Sequence, residues 1–247
     1  MMTHILKPNL PEGRVKAIIC GTDDRDILSF FKENGISVLR NAPNCDIDIA
    51  VSTHADMAAA YIGDGKIITD KNQNVLKALL EKQGFTVYDA LKHVRGEYPG
   101  DIGLNFVLTA DYAIGNFAYA DPVLIDNITS KKQLSVKQGY CKCSVLVVDE
   151  NAVISDDIAI CEKLKQNGFD ALFVKKGDIQ LDGHDYGFIG GASGKISKDT
   201  VVFFGDVSSH RDFEKIKEFL QKHDCDYVCT DKGQLRDIGG FVSLCEE

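Results

Sequence analysis

The sequence predicts an α/β fold, a five-bladed, pseudo-fivefold α/β propeller of ββαβ units in which the C-terminal strand completes the first blade. Three observations support this prediction. Two apolar strands, an amphipathic helix and a third short strand recur along the 247 residues, as internal repeats do in propellers. A hairpin precedes each helix, whereas the crossover units of an open parallel sheet need none. A closed ring also removes the edge strands that an open sheet must protect.

The first unit is split between the two ends of the chain. Residues 15–20 are its predicted second strand, and a helix from about residue 24 to residue 34 follows. Gly35 ends this helix, because glycine adopts the left-handed conformation of a helix C′ position at little cost. Residues 36–40 are the third strand. No first strand precedes this unit, and residues 239–244 are predicted to supply it, which would make the two termini neighbours.

Units two and three carry the clearest turn and helix signals. In unit two, Asp64-Gly65 between two apolar runs predicts a hairpin, and Gly84 ends the helix that follows. In unit three, Asp121 is the predicted N-cap of a helix with Pro122 in its first position, where a missing N–H costs nothing. The apolar face of the unit-two helix is predicted to consist of Val75, Leu76, Leu79 and Leu80.

Units four and five repeat the same pattern. In unit four, residues 145–148 pair with residues 152–154, and Ser155 is the predicted N-cap of the helix. In unit five, residues 190–196 pair with residues 200–204. The other predicted elements are a unit-five helix at about residues 211–222 and third strands at residues 85–89, 134–137, 169–174 and 226–230.

The composition is that of an ordinary globular protein, and its charge argues against some partners. The formal net charge is −9, and 44% of the residues are hydrophobic. Basic residues occur in pairs such as Lys131-Lys132, not in the stripes that bind nucleic acid or anionic membranes. No apolar run approaches the ~20 residues of a spanning helix, and the N-terminal residues lack the pattern of a secretory signal. We expect a single cytoplasmic domain over residues 1–247, without a nucleic-acid or membrane partner.

Eight cysteines are present, and they fall mostly within apolar strands and helices. Buried thiols in a reducing compartment are the expected explanation. A zinc site requires paired Cys-x₂-Cys spacings, whereas Cys141-Lys-Cys143 and the Cys225/Cys229 pair each stand alone. The sequence therefore predicts no metal and no cofactor.

Three glycine-containing stretches stand where strands approach the axis of the ring: Asp101-Ile-Gly-Leu-Asn105, Ile189-Gly-Gly-Ala192 and Asp237-Ile-Gly-Gly240. Together with the repeat, they resemble the pentein fold of the guanidino-group-modifying enzymes. That superfamily includes arginine and agmatine deiminases, dimethylarginine dimethylaminohydrolases and amidinotransferases, and also a non-catalytic ribosome anti-association factor. The resemblance covers almost the whole chain, and it implies a polar axial pocket for a small guanidino or amino-acid-like ligand.

The resemblance also places two departures at catalytic positions. Catalytic penteins carry an acidic residue before a glycine-containing strand, where this chain has Asp101. They begin the strand of the next blade with histidine, where this chain has Cys141-Lys-Cys-Ser144. Their nucleophilic cysteine follows Gly-Gly by three positions, where this chain has Ser243, with Cys245 two residues further on. The chain therefore resembles a branch of the superfamily without the usual Cys and His residues.

Cys141, Cys143, His54 and His184 are the candidate catalytic residues. A nucleophilic thiolate needs a lowered pKa and a neighbouring base. Cys141 and Cys143 have alternate positions on a strand, so we expect both side chains to point to the same side of it. They would then be a nucleophile, a redox pair, or two small residues that fill a tight axis. His54 or His184 would be the base, and the alternative for each is an ordinary loop histidine.

The candidate ligand-binding residues are Asp101, Asn105, Ser193, Asp237 and Ser243. The carboxylates of Asp101 and Asp237 would bind a guanidinium group through bidentate hydrogen bonds, or each would cap backbone N–H groups of a tight turn. Three functions remain open on these grounds. They are a C–N hydrolase or amidinotransferase with non-standard residues, a non-catalytic binding or regulatory protein of the same fold, and a thiol redox protein.

Overall fold

The structure is a computed structural model, which describes residues 2–247. In chain order, the strands β1 to β18 of these residues are Thr3–His4, Val15–Ile19, Ser37–Leu39, Ala59–Gly63, Lys66–Thr69, Thr86–Asp89, Val107–Leu108, Tyr112–Gly115, Lys132–Ser135, Val145–Asp149, Ala152–Ser155, Asp170–Phe173, Ile179–Gln180, Ser193–Ser197, Thr200–Phe203, Asp226–Cys229, Leu235–Arg236 and Val242–Glu246. The α-helices α1 to α6 are Arg25–Glu33, Ala55–Ala58, Asn74–Lys82, Pro122–Asn127, Ile158–Lys165 and Phe213–Lys222.

The predicted repeat of strands is confirmed by the sheet topology. Four sheets have the order β4-β5-β6, β7-β8-β9, β10-β11-β12 and β14-β15-β16. In each of them the first two strands form an antiparallel hairpin, and the third strand runs parallel to the second. The parallel pair β13-β17 is an addition to this pattern that the sequence did not predict.

The C-terminal strand completes the first unit, as the sequence predicts. Strand β18 pairs antiparallel with β2, and β2 pairs parallel with β3, so β18 takes the place of the first strand. The short strand β1 pairs with the other side of β18, with Thr3 opposite Glu246. The carboxylate of Glu246 also accepts hydrogen bonds from the backbone N–H groups of Glu12 and Gly13, at 2.6 and 2.7 Å. The two ends of the chain are therefore neighbours.

The helices follow the second strands at the predicted places, with two corrections. Asp157, not Ser155, is the N-cap of α5, because its side chain accepts hydrogen bonds from the N–H groups of the first turn. The Ser155 hydroxyl instead donates to the carbonyl of Ser144. On α3 the predicted apolar face is narrower than expected, since Val75 and Leu79 are 72% and 41% exposed and only its two other leucines are buried. Asp121 is the N-cap of α4, as predicted.

The first strands of the units lie in the interior, and this burial positions the candidate site. Every residue of β4 and of β18 is buried, as are the first four residues of β10. The apolar clusters of the core lie between these strands and the surrounding helices. Loop residues that directly precede the first strands are therefore brought toward one another.

Candidate active site

One register position of the repeat supplies the wall of a cavity. His54, Tyr140, Phe188 and Asp237 each stand five positions before the first residue of β4, β10, β14 and β18, respectively. All four line one cavity of about 320 Å³, called the main cavity below. Because the first strands are buried side by side, equivalent residues before them meet, although they are far apart in sequence.

The main cavity is acidic and partly aromatic. Its other lining residues are Asp48, Val51, Met57, Cys143, Leu181, His184, Asp185 and Tyr186. Three carboxylates, two imidazoles and one thiol thus face the same space, and no Lys or Arg is among the described lining residues. The electrostatic character of the cavity favours a cation.

His54 and Asp237 are buried together in the wall. His54 is the N-cap residue of α2 but makes no capping bond with its side chain. Its Nδ1 atom lies 3.9 Å from Oδ1 of Asp237 and has no hydrogen-bond partner among the described residues. The two carboxylate oxygens of Asp237 accept hydrogen bonds from the backbone N–H groups of Phe188 and Gly239, at 2.8 and 2.9 Å. Asp237 is thereby fixed in orientation, while Nδ1 of His54 is buried without a hydrogen-bond partner among the described residues.

Cys143 is the buried thiol of the main cavity. Its S–H donates to Oδ2 of Asp56 over 2.9 Å, and its sulfur accepts a hydrogen bond from Nδ2 of Asn105 over 3.1 Å. Burial raises the pKa of the thiol well above its usual value, and the negative charges of Asp56 and Asp237 raise it further. Burial also raises the pKa of the Asp56 carboxyl group. In the structure the Cys143 thiol is within hydrogen-bond distance of the Asp56 carboxyl group.

The two candidate cysteines do not lie on the same side, which corrects the sequence prediction. Residues 141–144 form a turn, and β10 begins only at Val145, so the alternation of strand side chains does not apply to them. The Cys141 side chain is fully buried in an apolar cluster with residues such as Val107 and Leu134. Burial raises its pKa to about 12. The structure thus brings Cys143 to the main cavity and leaves Cys141 in the core.

Of the predicted ligand-binding residues, only Asp237 lines the main cavity. Asp101 lies behind it and accepts a hydrogen bond from the hydroxyl of Tyr140 at 2.6 Å. Asn105 does not line the cavity, but its Nδ2 donates a hydrogen bond to the sulfur of Cys143, which does. The Ser193 hydroxyl donates to the carbonyl of Ile189 at 2.6 Å, which is a structural contact. Ser243 lines two much smaller cavities elsewhere and does not reach the main one.

His184 stands at the rim of the main cavity. Its Nε2 atom lies 3.3 Å from Oδ2 of Asp48, and both side chains are about half exposed, at 43% and 53%. This contact joins two loops across the rim. His184 therefore contacts solvent, whereas His54 is buried in the wall of the cavity.

Sequence reasoning missed Asp56, Tyr140 and Phe188. The signal for the two aromatic residues was present in the repeat, since both stand at the same distance from a first strand as His54 and Asp237. The signal for Asp56 was its position two residues after His54, at the start of the same unit. Within residues 2–247 no group of three or more His, Cys, Asp or Glu side chains is arranged to hold a metal ion. In the same residues no helix has the length and apolarity to cross a membrane.

Three solved structures with the same fold are an amidinotransferase, an agmatine deiminase and a dimethylarginine dimethylaminohydrolase. An inosamine-phosphate amidinotransferase from Streptomyces griseus matches with a TM-score of 0.62 at 10% identity, over 98% of this chain and 97% of that one. A C. jejuni agmatine deiminase matches with a TM-score of 0.53 at 13% identity, over 92% and 91%. A dimethylarginine dimethylaminohydrolase from Pseudomonas aeruginosa, in complex with citrulline, matches with a TM-score of 0.52 at 9% identity, over 92% and 96%.

The chain therefore has the pentein fold, as the resemblance implied. The chain belongs to a family of unknown function (DUF6873), whose model matches residues 18–242. A comparison with curated proteins gives no significant match.

Proposed function

We propose that the main cavity binds a small cationic ligand, guanidine-like or amino-acid-like, and that Cys143 acts on it as the nucleophile of a C–N hydrolase or amidinotransferase. One observation carries this proposal: Cys143, His54 and Asp237 face the same cavity, and the thiol already donates to a carboxylate. The whole chain, residues 1–247, would act as one domain, since the C-terminal strand completes the first unit.

The lining of the cavity specifies the charge of the ligand. Asp237 places a fixed carboxylate in the wall, and its negative charge favours a cation such as guanidinium, while its oxygens accept the two backbone N–H bonds. Tyr140 adds an aromatic face, and such faces attract cations, whereas the rings of Phe188 and Tyr186 already have the Lys176 ammonium group 5.0 Å from their centroids. A carboxylate on the ligand would find no lining Lys or Arg to pair with. A guanidine without a carboxylate should therefore bind more tightly than its amino-acid counterpart.

The bound cation would also activate the thiol. In the free protein the carboxylates of Asp56 and Asp237 oppose ionisation of Cys143. A cation beside Asp237 offsets that field, and an opposite charge within about 4–6 Å favours the ionised form. The thiol proton then moves to Oδ2 of Asp56, and the sulfur bonds to the guanidinium carbon to give a tetrahedral adduct.

The remaining steps follow from the same groups. The C–N bond of the adduct breaks, and the departing nitrogen keeps the bonding pair and takes a proton from His54 in its imidazolium form. A water, or an amine in the transferase case, then attacks the carbon of the resulting thiouronium while neutral His54 accepts a proton. Finally the C–S bond breaks, the sulfur keeps the bonding pair and regains its proton from Asp56, and the product leaves as a guanidinium or as a protonated urea that loses its proton to water.

A matched pair of alkylating agents tests this proposal. 2-Chloroacetamidine is cationic, and 2-chloroacetamide is its neutral counterpart of nearly the same shape. We expect the cationic reagent to label Cys143 at least about tenfold faster relative to the exposed Cys45, measured by peptide mass spectrometry. Asp237→Asn should reduce that preference. Equal labelling ratios of Cys143 to Cys45 for the two reagents would contradict the proposal.

The raised pKa of the Cys143 thiol favours a second candidate, a non-catalytic binding protein of the same fold. Agmatine and arginine separate the candidates, because they differ only in the carboxylate. Either function predicts a larger rise of the melting temperature with agmatine. Only the enzyme also predicts release of an amine or a ureido product, followed by chromatography. A thiol redox pair is not favoured, since Cys141 and Cys143 lie in different environments. No thermal shift with any guanidino or amino-acid compound would contradict both candidates.

A further inference from the structure

A second cavity, of about 370 Å³, adjoins the main cavity. Of the described residues, the two cavities share only His54, Leu181 and Asp237 in their walls. The other lining residues of the second cavity are Thr22, Asp23, Asp24, Ala50, Thr53, Gln180, Asp182, Arg236 and Ile238. His54 and Asp237 therefore stand at the boundary between two spaces of similar size, and Cys143 faces the main cavity alone.

The second cavity keeps an uncompensated negative charge. Arg236 is the only Lys or Arg among the described residues that line it. The Arg236 guanidinium group lies 3.0 Å from a carboxylate oxygen of Asp24 and 2.6 Å from one of Asp231, so two carboxylates already neutralise it. The exposed carboxylate of Asp182 accepts a hydrogen bond from the Gln180 amide at 3.1 Å and has no cation within 4 Å among the described residues. The charge of the cavity therefore favours a cation.

At the boundary, both shared polar residues lack a strong side-chain partner. Asp237 is 6% exposed, and within 4 Å of its carboxylate the only cationic side chain among residues 2–247 is His54, at 3.9 Å. His54 is 3% exposed, and its side chain makes no hydrogen bond within the same residues. Buried polar side chains normally have hydrogen-bond partners. An ammonium group would supply a positive charge to Asp237 and an N–H donor to the imidazole.

We propose that the second cavity is a binding site of its own, which holds a small aliphatic ammonium ion between the exposed Asp182 and the buried pair His54 and Asp237. The site needs neither Cys143 nor a reaction in the main cavity, so it goes beyond the proposed function. Its ligand differs from that of the main cavity, where the thiol and the ring of Tyr140 face a guanidine-like group.

The shared carboxylate couples the two cavities, a consequence that rests on the proposed binding of a cation in the main cavity. Two cations that approach Asp237 from different cavities repel each other. At about 8 Å apart and an effective dielectric constant of about 20–80, two unit charges weaken each other's binding roughly two- to thirtyfold. The effect is reciprocal. An ammonium ion in the second cavity would thus lower the affinity of the main cavity for its ligand without occupying it.

Two adjacent residues allow the cavities to be tested separately. Ala50 lines only the second cavity and Val51 only the main cavity, and both belong to the 3-10 helix Ile49–Val51. The probe is butylammonium, with 1-butanol as its neutral counterpart of similar shape. In an NMR titration that follows the amide signals of Gln180 and Asp182, we expect butylammonium to bind at least about threefold more tightly than 1-butanol.

The variants locate the site. Ala50→Phe should weaken butylammonium binding at least about tenfold, because the phenyl ring takes the space of the ligand, whereas Val51→Phe should leave it nearly unchanged. Asp182→Asn should weaken it at least about threefold. Asp185→Asn is the matched control, since Asp185 is also exposed but lines only the main cavity. Equal binding of butylammonium and 1-butanol, or the same affinity in the natural protein and Ala50→Phe, would overturn the proposal. If Ala50→Phe does not fold, an unchanged affinity in Asp182→Asn would overturn it.

Methylguanidine separates this inference from the proposed function. It should weaken butylammonium binding by a limited factor that levels off at saturation. Weakening that grows without limit would indicate competition for one site and would overturn the second site. Methylguanidine that binds the main cavity without any effect on butylammonium would overturn the coupling. Butylammonium binding that Ala50→Phe abolishes, in a protein that does not bind methylguanidine, would support the second site and refute only the proposed function.

Discussion

Gly191 is the residue whose substitution tests most directly how Asp237 is held. A Cβ atom at this position would lie 1.9 Å from Oδ1 and 2.4 Å from Cγ of Asp237, far inside contact distance. The backbone of Gly191 cannot retreat, because its N–H donates to the carbonyl of Cys143 and its carbonyl accepts from Ile238 and Gly240, at 2.9, 3.0 and 2.8 Å. Gly191→Ala must therefore displace the Asp237 carboxylate.

The cost of that displacement follows from the two hydrogen bonds that Asp237 would lose, from Phe188 and Gly239. Hydrogen bonds to a charged group contribute about 1.5–3 kcal/mol each. We therefore expect Gly191→Ala to lower the free energy of unfolding by about 3–6 kcal/mol, measured by urea titration. Gly103→Ala is the control, because its Cβ would meet nothing closer than 3.8 Å.

A double-mutant cycle makes the argument specific to Asp237. In an Asp237→Ala background the clashing carboxyl atoms are absent, so Gly191→Ala should cost at least about 2 kcal/mol less than in the natural sequence, as expected for residues in contact. The same cost in both backgrounds would show that the penalty arises elsewhere. A loss below about 0.5 kcal/mol in the natural sequence would refute the reasoning altogether.

Two further predictions concern hydrogen bonds between side chains. The pKa of His93 is raised, first by its hydrogen bond to Asp46 and also by the charge of Asp70. Its ion pairs therefore stabilise the fold fully below about pH 6.5, and that contribution, up to about 1 kcal/mol, is lost as the pH rises through the raised pKa. Urea titrations at pH 6 and pH 8.5 should show this loss in the natural protein and not in His93→Gln; equal pH dependence would contradict it. Tyr140→Phe leaves the Asp101 carboxylate buried without its donor, so it should lower the free energy of unfolding by about 1–3 kcal/mol, and an unchanged urea midpoint would contradict that.

The order of the elements could be predicted because local chemistry determines it. Gly84 and Gly168 adopt φ angles of +85° and +86° at helix ends, as expected of glycine there. Asp121 and Pro122 begin α4 as their residue types favour. The pairing of the C-terminal strand with β2 could be predicted because one unit lacked a strand and one strand lacked a unit. Each of these inferences needs only a short stretch of sequence or a count of repeats.

The candidate site could be predicted only in part, because it depends on where each first strand begins. Cys141 and Cys143 were expected to share a side, and the start of β10 at Val145 separates them. A shift of strand boundary by a few residues is invisible in the apolar pattern, since residues 141–144 include small buried side chains in either case. Once β10 is placed, Cys143 and Tyr140 fall into register with Met57 and His54.

The register also explains how a repeated scaffold gives an asymmetric site. At the position two residues before a first strand, Met57 and Cys143 reach the main cavity, whereas the equivalent residue before β14 is Gly191. Gly191 provides the space in which the carboxylate of Asp237 lies. Gly239 provides the space beside His54, since a Cβ atom on Gly239 would lie 2.3 Å from the Cβ atom of His54. Because the small residues make room for polar ones from other units, the repeated pattern places one thiol, one buried imidazole and one fixed carboxylate around a single cavity. Substitution of either glycine should therefore impair the site through its neighbour, even though neither glycine carries a reactive group.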